Sequence, residues 1–125
     1  MRFLRKFLLF LLGGSAYMGL EYLWRGWSHI SMFLAGGTAF LLLGKLRSKN
    51  QPLPLRALEG SGIITGVELA AGLLVNRGYR VWDYRGLPLN FLGQICLPFS
   101  LLWIPVGLAG MRLYAGAEKY LKARL

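Results

Sequence analysis

The sequence predicts an all-α membrane protein with four transmembrane helices and a C-terminal amphipathic helix at the membrane interface. Of the 125 residues, 55% are hydrophobic, and they are gathered in long runs. About 20 apolar residues cross the roughly 30 Å hydrocarbon core of a bilayer, and four runs reach or approach that length. Basic residues lie at the ends of these runs. The chain is therefore expected to form a single polytopic membrane domain over residues 1–125.

The net charge also fits a membrane protein. Fifteen Lys and Arg residues stand against five Asp and Glu residues, which gives a formal net charge of +10. In a soluble protein this excess would make nucleic acid a candidate partner. Here the basic residues flank the apolar runs, where they set topology and contact anionic headgroups. We therefore expect the bilayer to be the partner and exclude nucleic acid.

The four spans are predicted at about residues 3–24, 28–44, 57–75 and 87–109. The first resembles a signal peptide at its start, but its apolar run continues to about Trp24, beyond a plausible cleavage site. The second is short and needs its flanking residues or local thinning of the bilayer. The fourth contains Pro98 and Pro105, which predict a bend. Residues 111–125 have the helical spacing of an amphipathic interfacial helix.

Two connections differ in character. Residues 45–56 are polar, and Pro52 and Pro54 are expected to keep helix from running through them. Residues 76–86 mix arginines with aromatic residues, as is typical of a membrane interface. Eleven Lys and Arg residues lie at the termini and in the first of these connections, and the other four lie on the opposite side. The positive-inside rule then predicts that both termini are cytoplasmic.

The central span carries two carboxylates, Glu59 and Glu68. A charge near the bilayer centre costs several kcal/mol, so such an acid normally faces protein or water. Helical geometry places a ridge of three small residues about 200° away from Glu68, and we predict that this ridge packs against another helix. Glu59 lies near the ridge at the start of the span, where it can reach the interface. The ridge consists of Gly62, Gly66 and Ala70.

Spans one and three share a local pattern. Ser15 precedes Gly19 and Glu21 in span one, and Ser61 precedes Gly66 and Glu68 in span three. The spacings differ by one residue. A parallel duplication of a two-helix unit would make the two acids equivalent. Chance similarity between glycine-rich spans explains the pattern equally well.

A motif begins in the central span with Glu59, the glycine ridge and Glu68, and it continues after an arginine-bearing turn. It reads Trp82, Asp83, Tyr84, then Pro88, Asn90, Gly93 and Cys96, with Trp103 farther on. This order resembles the membrane-protein family named putative type IV ABC transporter, and the resemblance covers roughly the carboxyl-terminal half up to Trp103. The first half fits less well, since residues 27–32 read WSHISM where a Gly-Pro-rich turn is expected. The resemblance implies a transport role.

Two interpretations of the polar residues in the spans stay open. Asn90 and Gln94 are four residues apart and would share a face of helix four. With Glu68 and Glu21 they would form a site that binds a cation or a proton during transport, with Arg80 or Arg25 as alternative partners for Glu68. Alternatively, the same residues would form a hydrogen-bonded cluster that fixes helix packing.

Other single residues favour structural roles. Asp83 is interpreted as a cap for the start of the fourth helix, where an anion is favoured. His29 is read as an interfacial polar residue, and Cys96 as a small core hydrophobe. The sequence contains one His and one Cys, so we expect no metal site and no cofactor.

The leading functional hypothesis is a small permease-like or channel-like transport component of the cell (inner) membrane. Four short helices enclose little volume, so homo-oligomerisation is expected. The sequence contains no GxxxxGK[ST] motif, so an ATPase would be a separate chain. The alternative is a non-transporting membrane scaffold or lipid-interacting protein. An enzyme is not expected, because the acids are the one class of candidate catalyst present.

Overall fold

The computed structural model describes residues 2–26, 29–49, 51–79 and 81–124. Four helices dominate this part of the chain, and each is long and apolar enough to cross a membrane. This confirms the predicted four-helix membrane class. The helices are α1 (Arg2–Arg25), α2 (Ile30–Arg47), α3 (Leu53–Val75) and α4 (Leu97–Arg124), and two short antiparallel strands, β1 (Asn90–Phe91) and β2 (Ile95–Cys96), precede α4.

Glycines allow α1 and α2 to pack closely. Phe40 of α2 lies against Gly13, and Tyr17 of α1 lies against Gly36. A Cβ atom at either glycine would fall less than 3.0 Å from the neighbouring side chain. Small residues serve this purpose in membranes, where association depends on close packing and not on hydrophobic burial. Glycines on both helices therefore allow this close contact.

α2 begins later and ends later than predicted. His29 accepts a hydrogen bond from the Ser31 backbone amide at 3.1 Å and thereby caps the helix at Ile30. The helix then continues to Arg47, three residues beyond the predicted end. The expected contributions of Trp27 and Ser28 to this span lie outside the described residues. His29 is exposed and acts as the N-cap of α2, and its interfacial location stays a prediction.

The start of α3 also differs from the prediction. It begins at Leu53, four residues before the predicted boundary, with Pro52 as the N-cap residue and Pro54 in the first turn. Proline is tolerated there because the first amides of a helix have no intrahelical partner. Pro54 therefore does not interrupt this helix.

The fourth span and the tail form one helix. α4 runs without a break over 28 residues, so the prediction of a separate interfacial helix at 111–125 is wrong, as is the predicted start at 87. Gly110 does not end the helix, because residues before and after it, such as Gly107 and Tyr114, are buried against the bundle. Tyr114 is buried, lies 5.3 Å from the Phe40 ring between centroids, and accepts a hydrogen bond from Lys6 Nζ at 2.7 Å. Pro98 lies in the first turn, whereas Pro105 is inside the helix.

These contacts define two ends of the bundle. The Lys6–Tyr114 hydrogen bond brings the start of α1 next to the final third of α4, and Gly44 near the end of α2 also faces Tyr114. We call this the basic end. The segment between α3 and α4 lies at the opposite end, together with the start of α2, where Met32 packs near Trp82.

α3 and α4 are joined by both polar and apolar contacts. Ser61 Oγ donates a hydrogen bond to the Ser100 carbonyl at 2.5 Å, and the Thr65 and Ser100 hydroxyls lie 2.8 Å apart. Gly60 and Gly107 meet at the crossing of the two helices. The core nearby includes Leu43, Ile64, Trp103 and Met111.

The face of α3 that packs is not the predicted one. Gly62, Gly66 and Ala70 are exposed, and no atom lies within 4 Å of a Cβ built at either glycine. The prediction that this ridge packs is therefore wrong within the chain. The reason is that α3 turns a different set of residues inward, and this set includes the acid: Gly60, Ser61, Ile64, Glu68 and Gly72.

Candidate functional site

The segment between α3 and α4, residues 76–79 and 81–96, folds back onto the bundle, and we call it the cap. Asn76, at the end of α3, organises it and is fully buried. Its Oδ1 accepts hydrogen bonds from the amides of Val81 and Trp82 at 2.8 and 3.2 Å. Its Nδ2 donates to the Trp82 carbonyl at 2.7 Å and to Gln94 Oε1 at 2.8 Å. One amide side chain therefore fixes both the start and the end of the cap.

Gln94 completes this network. Its Nε2 donates to the Asn76 carbonyl at 3.0 Å, and the side chain lies directly against Gly72 of α3. Trp82 Nε1 donates to the Gln94 carbonyl at 2.8 Å. A buried polar network that is fully satisfied rigidifies its surroundings. The cap is thus held against the end of α3.

Within the cap, β1 and β2 form a small hairpin. Asn90 pairs with Cys96 and Phe91 with Ile95. The tip needs positive φ angles, of 56° at Leu92 and 67° at Gly93. The exposed Asn90 shapes this turn, since its Oδ1 accepts from the Gly93 amide at 3.1 Å and its Nδ2 donates to the Leu87 carbonyl at 2.9 Å.

Glu68 lies where α3, the cap and α4 meet. Its side chain is 4% exposed, although it is seven residues, or roughly 10 Å, before the end of α3. The Tyr84 hydroxyl of the cap donates to Glu68 Oε2 at 2.9 Å. Trp103 Nε1 of α4 donates to Glu68 Oε1 at 2.8 Å. Each carboxylate oxygen therefore accepts from a different element.

Aromatic rings extend from Tyr84 towards α1. The Tyr84 and Phe99 rings are stacked with their centroids 4.7 Å apart. Trp103 follows at 6.1 Å from Phe99, and Tyr17 of α1 lies 6.1 Å from Trp103. These rings separate the Glu68 carboxylate from the space between α1 and α4.

Glu21 approaches the same region from α1. It is half-buried and lines a cavity of about 600 Å³ together with Tyr17 and Trp103. It lies near enough to Glu68 that two ionised carboxylates would repel each other. The structure therefore brings the two predicted acids into one neighbourhood, with the Trp103 ring beside both.

The other two predicted members of the site lie elsewhere. Gln94 is buried but bonds Asn76, and Asn90 is exposed at the hairpin. They do not share a helical face, because α4 begins only at Leu97. The grouping of Asn90 and Gln94 with the acids is therefore wrong. As alternative partners for Glu68, Arg80 and the Arg25 side chain lie outside the described residues.

The Trp-Asp-Tyr motif alternates between inside and outside. Trp82 and Tyr84 are buried, whereas Asp83 is exposed, as expected for extended chain. Asp83 does not cap α4, which begins 14 residues later. Instead, Arg85 Nε donates to Asp83 Oδ1 at 2.9 Å, and a second guanidinium nitrogen lies 2.8 Å from Oδ2. The hydrogen bonds from Arg85 lower the pKa of Asp83 to about 2. Pro88 is exposed in the turn between Tyr84 and β1.

Glu59 is not part of this site. It lies nine residues before Glu68 on α3, roughly 14 Å nearer the basic end. There its Oε1 accepts a hydrogen bond from Gln51 Nε2 at 3.2 Å. Its predicted location at the membrane interface stays a prediction.

Asn76 is the residue that the sequence interpretation missed. An asparagine just after an apolar run is typical of an ordinary helix end, and this residue is indeed the C-cap of α3. The signal that could have identified it is its position between a span and an aromatic segment that must bury its rings. Such a segment needs internal partners for its backbone groups.

Comparison with known proteins places this architecture in a family. Residues 32–123 match the family described as Putative ABC-transporter type IV, and this region contains Glu68, the cap and most of α4. α1 with Glu21 lies outside the matched residues. No curated protein and no solved structure matches the chain significantly. Because the matched region spans well over half of the chain, the protein belongs to the Putative ABC-transporter type IV family.

Proposed function

We propose that the protein is a permease-like component of a transporter in the cell (inner) membrane, with both termini in the cytoplasm. The family and the four membrane-spanning helices support a transport-related membrane role. The excess of Lys and Arg at the basic end supports the orientation. The observation that carries the proposal is the position of Glu68, where one buried carboxylate joins α3, the cap and α4.

In this proposal Glu68 alternates between two sets of partners. In the closed arrangement it accepts hydrogen bonds from Tyr84 and Trp103. When the cap moves away from the end of α3, Tyr84 leaves and the carboxylate can take up a cation or a proton from the cap side. Intramembrane acids that change partners in this way commonly mark ion or proton pathways.

We propose two protein partners, a separate ATPase and a second copy of this chain. The sequence has no nucleotide-binding GxxxxGK[ST] motif, so ATP hydrolysis would come from a separate chain, and we propose no enzymatic activity for this one. The ridge of Gly62, Gly66 and Ala70 faces away from the bundle. We propose that a second copy packs there, since small residues allow close helix contact in membranes.

The same outward ridge supports a second candidate function. A membrane scaffold that holds a partner helix would need an open small-residue face and no pathway for solutes. In that case Glu68 is a structural acceptor that holds the cap in place. This alternative does not require the cap to move.

The test is flux into proteoliposomes across a panel of inorganic ions and organic solutes under an imposed gradient. We expect flux of at least one solute, reduced at least tenfold in Glu68→Gln, because an amide cannot bind and release a proton or pair with a cation. Glu59→Gln is the matched control on the same helix and should stay within about twofold of the wild type.

Unchanged flux in Glu68→Gln would remove Glu68 from the mechanism. Absence of flux for every solute, together with co-purification of one stable membrane partner, would favour the scaffold.

A further inference from the structure

The β1–β2 hairpin presents large apolar side chains on the surface of the cap. Leu89, Phe91 and Leu92 are 74%, 55% and 55% exposed. We call these three residues the apolar tip. A group of exposed apolar side chains marks a surface that contacts either lipid or another protein. The backbone and the surroundings of the apolar tip indicate which of the two it contacts.

Two residues of the apolar tip are leucines in an unfavourable backbone conformation. The φ angles of Leu89 and Leu92 are 53° and 56°, in the left-handed region. Glycine and asparagine are the usual residues there, because a side chain of the size of leucine brings Cβ too close to the next carbonyl oxygen. Both leucine side chains are exposed, so packing within the chain does not explain them. A surrounding that removes them from water does.

The hairpin also satisfies its backbone without solvent. At the tip, the Leu92 carbonyl accepts a hydrogen bond from the Tyr79 hydroxyl at 3.0 Å. The exposed Asn90 uses both ends of its amide on nearby backbone groups. A loop that faces water can leave such groups to the solvent, whereas a loop in lipid cannot. Carbonyl groups with partners inside the chain are those of Leu87, Leu89, Phe91, Leu92 and Gly93.

The apolar tip is continuous with the outer face of α4. The Leu97 amide lies 3.4 Å from the Leu89 carbonyl, which places the hairpin directly beside the first turn of α4. Leu97 and Leu101 are four residues apart, share one side of that helix and are 45% and 56% exposed. Because α4 is one of the four helices able to cross a membrane, this side faces lipid. The exposed leucine surface therefore extends from α4 onto the hairpin.

A charged pair limits how deep the apolar tip can lie. The Tyr79 ring and the Arg85 side chain pack against Gly93 of the turn, and the Arg85 guanidinium lies 4.0 Å from the centroid of that ring. Arg85 is also paired with Asp83, and both are exposed. Tyrosines and arginines are typical of the headgroup level. This side of the hairpin therefore fits the headgroups, and the apolar tip fits the hydrocarbon next to them.

We propose that the apolar tip inserts into the bilayer, in the upper acyl-chain region of the leaflet on the cap side. The partner of this surface is the lipid that also surrounds α4. The hairpin thus anchors the cap to the membrane independently of whether the protein transports a solute. It also accounts for the apolar composition that puts the predicted start of the fourth span at residue 87.

The experiment measures depth with a nitroxide spin label in the Cys96→Ser background. The label is attached at Phe91→Cys, and the full chain is placed in nanodiscs with a large excess of discs, so that each disc holds one chain. Oxygen concentrates in hydrocarbon, whereas a water-soluble nickel chelate stays outside it. We expect the ratio of oxygen to nickel accessibility to be at least fivefold higher at residue 91 than at Ser48→Cys in the polar connection between α2 and α3. Leu101→Cys is the reference for lipid.

A second measurement needs no substitution. The wild type is placed in nanodiscs that contain a phospholipid with a photoreactive diazirine in the upper part of its acyl chain, and the adducts are located by mass spectrometry. We expect adducts on the apolar tip as well as on Leu101. A lipid with the diazirine in its headgroup should instead label the neighbourhood of Arg85.

The same low ratio at residues 91 and 48 would overturn the proposal, as would acyl-chain adducts on Leu101 without any on the apolar tip. Low accessibility of residue 91 to both reagents would also overturn it, because protein and not lipid would then cover this surface. If Phe91→Cys does not fold, the adducts on the wild type decide the question.

Discussion

Glu68 shows how a carboxylate can be held within an apolar helix. Burial removes water from both of its oxygens, and two donors from different elements replace it. Two hydrogen bonds to one buried side chain stabilise the contact of the cap with α3 and α4. The Tyr84 hydroxyl and the Trp103 indole N–H in turn have Glu68 as their hydrogen-bond acceptor.

Glu68→Ala is expected to lower the free energy of unfolding by about 1–3 kcal/mol, because it leaves two buried donors without an acceptor. Denaturant titration in detergent micelles measures this. Glu59→Ala is the control, since it removes one hydrogen bond on a half-buried side chain at the basic end. An equal loss in the two variants would show that the donors of Tyr84 and Trp103 find other partners.

Asp83 provides a prediction outside the membrane. Its pKa in the folded protein is about 2, below the ordinary value of 3.8. The ionised form is therefore favoured by folding, so this contribution to stability is present above about pH 4 and is lost as the pH falls towards 2. Arg85→Gln should raise the pKa of Asp83 towards 3.8, as followed by carboxyl NMR shifts during a titration. A titration midpoint that does not move would rule out Arg85 as the cause.

Among the elements, the cap has the least regular secondary structure and depends most on single side chains. It has one hairpin of two-residue strands, and the buried amides of Asn76 and Gln94 join it to α3. A segment that depends on so few groups is expected to open locally before the helices unfold.

Asn76→Ala should therefore release the cap while leaving the bundle folded. Trypsin cleavage at Arg85 is expected to accelerate at least tenfold, with helix content by circular dichroism nearly unchanged. Asn90→Ala is the comparison, because this exposed side chain bonds backbone groups within the cap and none on α3, and cleavage should then change less than about threefold. Equal acceleration in both variants would show that Asn76 has no special role in the cap.

The helices could be predicted from the sequence, but the cap could not. Apolar length alone predicted four membrane-spanning helices, although the fourth begins at Leu97 and not at residue 87. The aromatic residues after α3 were read as an interfacial belt, because composition does not show whether a ring faces lipid or folds back. The positive φ angles of Leu89 and Leu92, at non-glycine residues, gave no signal of a hairpin.

The site could also be predicted only in part. A carboxylate in an apolar span must be sheltered, so Glu68 could be found without knowing its neighbours. Its partners come from residues 16 and 35 positions away, and their register depends on how the cap folds. The face of α3 that packs was also beyond prediction, because Gly62 and Gly60 are both small and only tertiary contacts select between them.

At the scale of the molecule, the Lys6–Tyr114 hydrogen bond joins the two ends of the chain. With the Phe40 ring against the same tyrosine, it packs the region of α4 around Tyr114, which was predicted to lie on the membrane surface, against α1 and α2. The matched family region begins at residue 32 and so includes the Glu68 junction but not α1.

Cysteine crosslinking tests the arrangement of the ends. In a Cys96→Ser background, Lys6→Cys combined with Tyr114→Cys should react readily with a short bismaleimide, because these side chains touch. Lys6→Cys combined with Phe91→Cys should not, since Phe91 is exposed on the cap at the other end. Similar yields for the two pairs would contradict the antiparallel bundle.

The most direct test of the central claim is a double-mutant cycle between Glu68 and Tyr84, measured as free energies of unfolding in micelles. The single variants are Glu68→Ala and Tyr84→Phe, and the double variant combines them. If the carboxylate holds the cap to the bundle, the effects are non-additive, with a coupling of about 0.5–3 kcal/mol. Additivity within about 0.5 kcal/mol would mean that the two groups do not interact, and the junction that supports the proposed function would be absent.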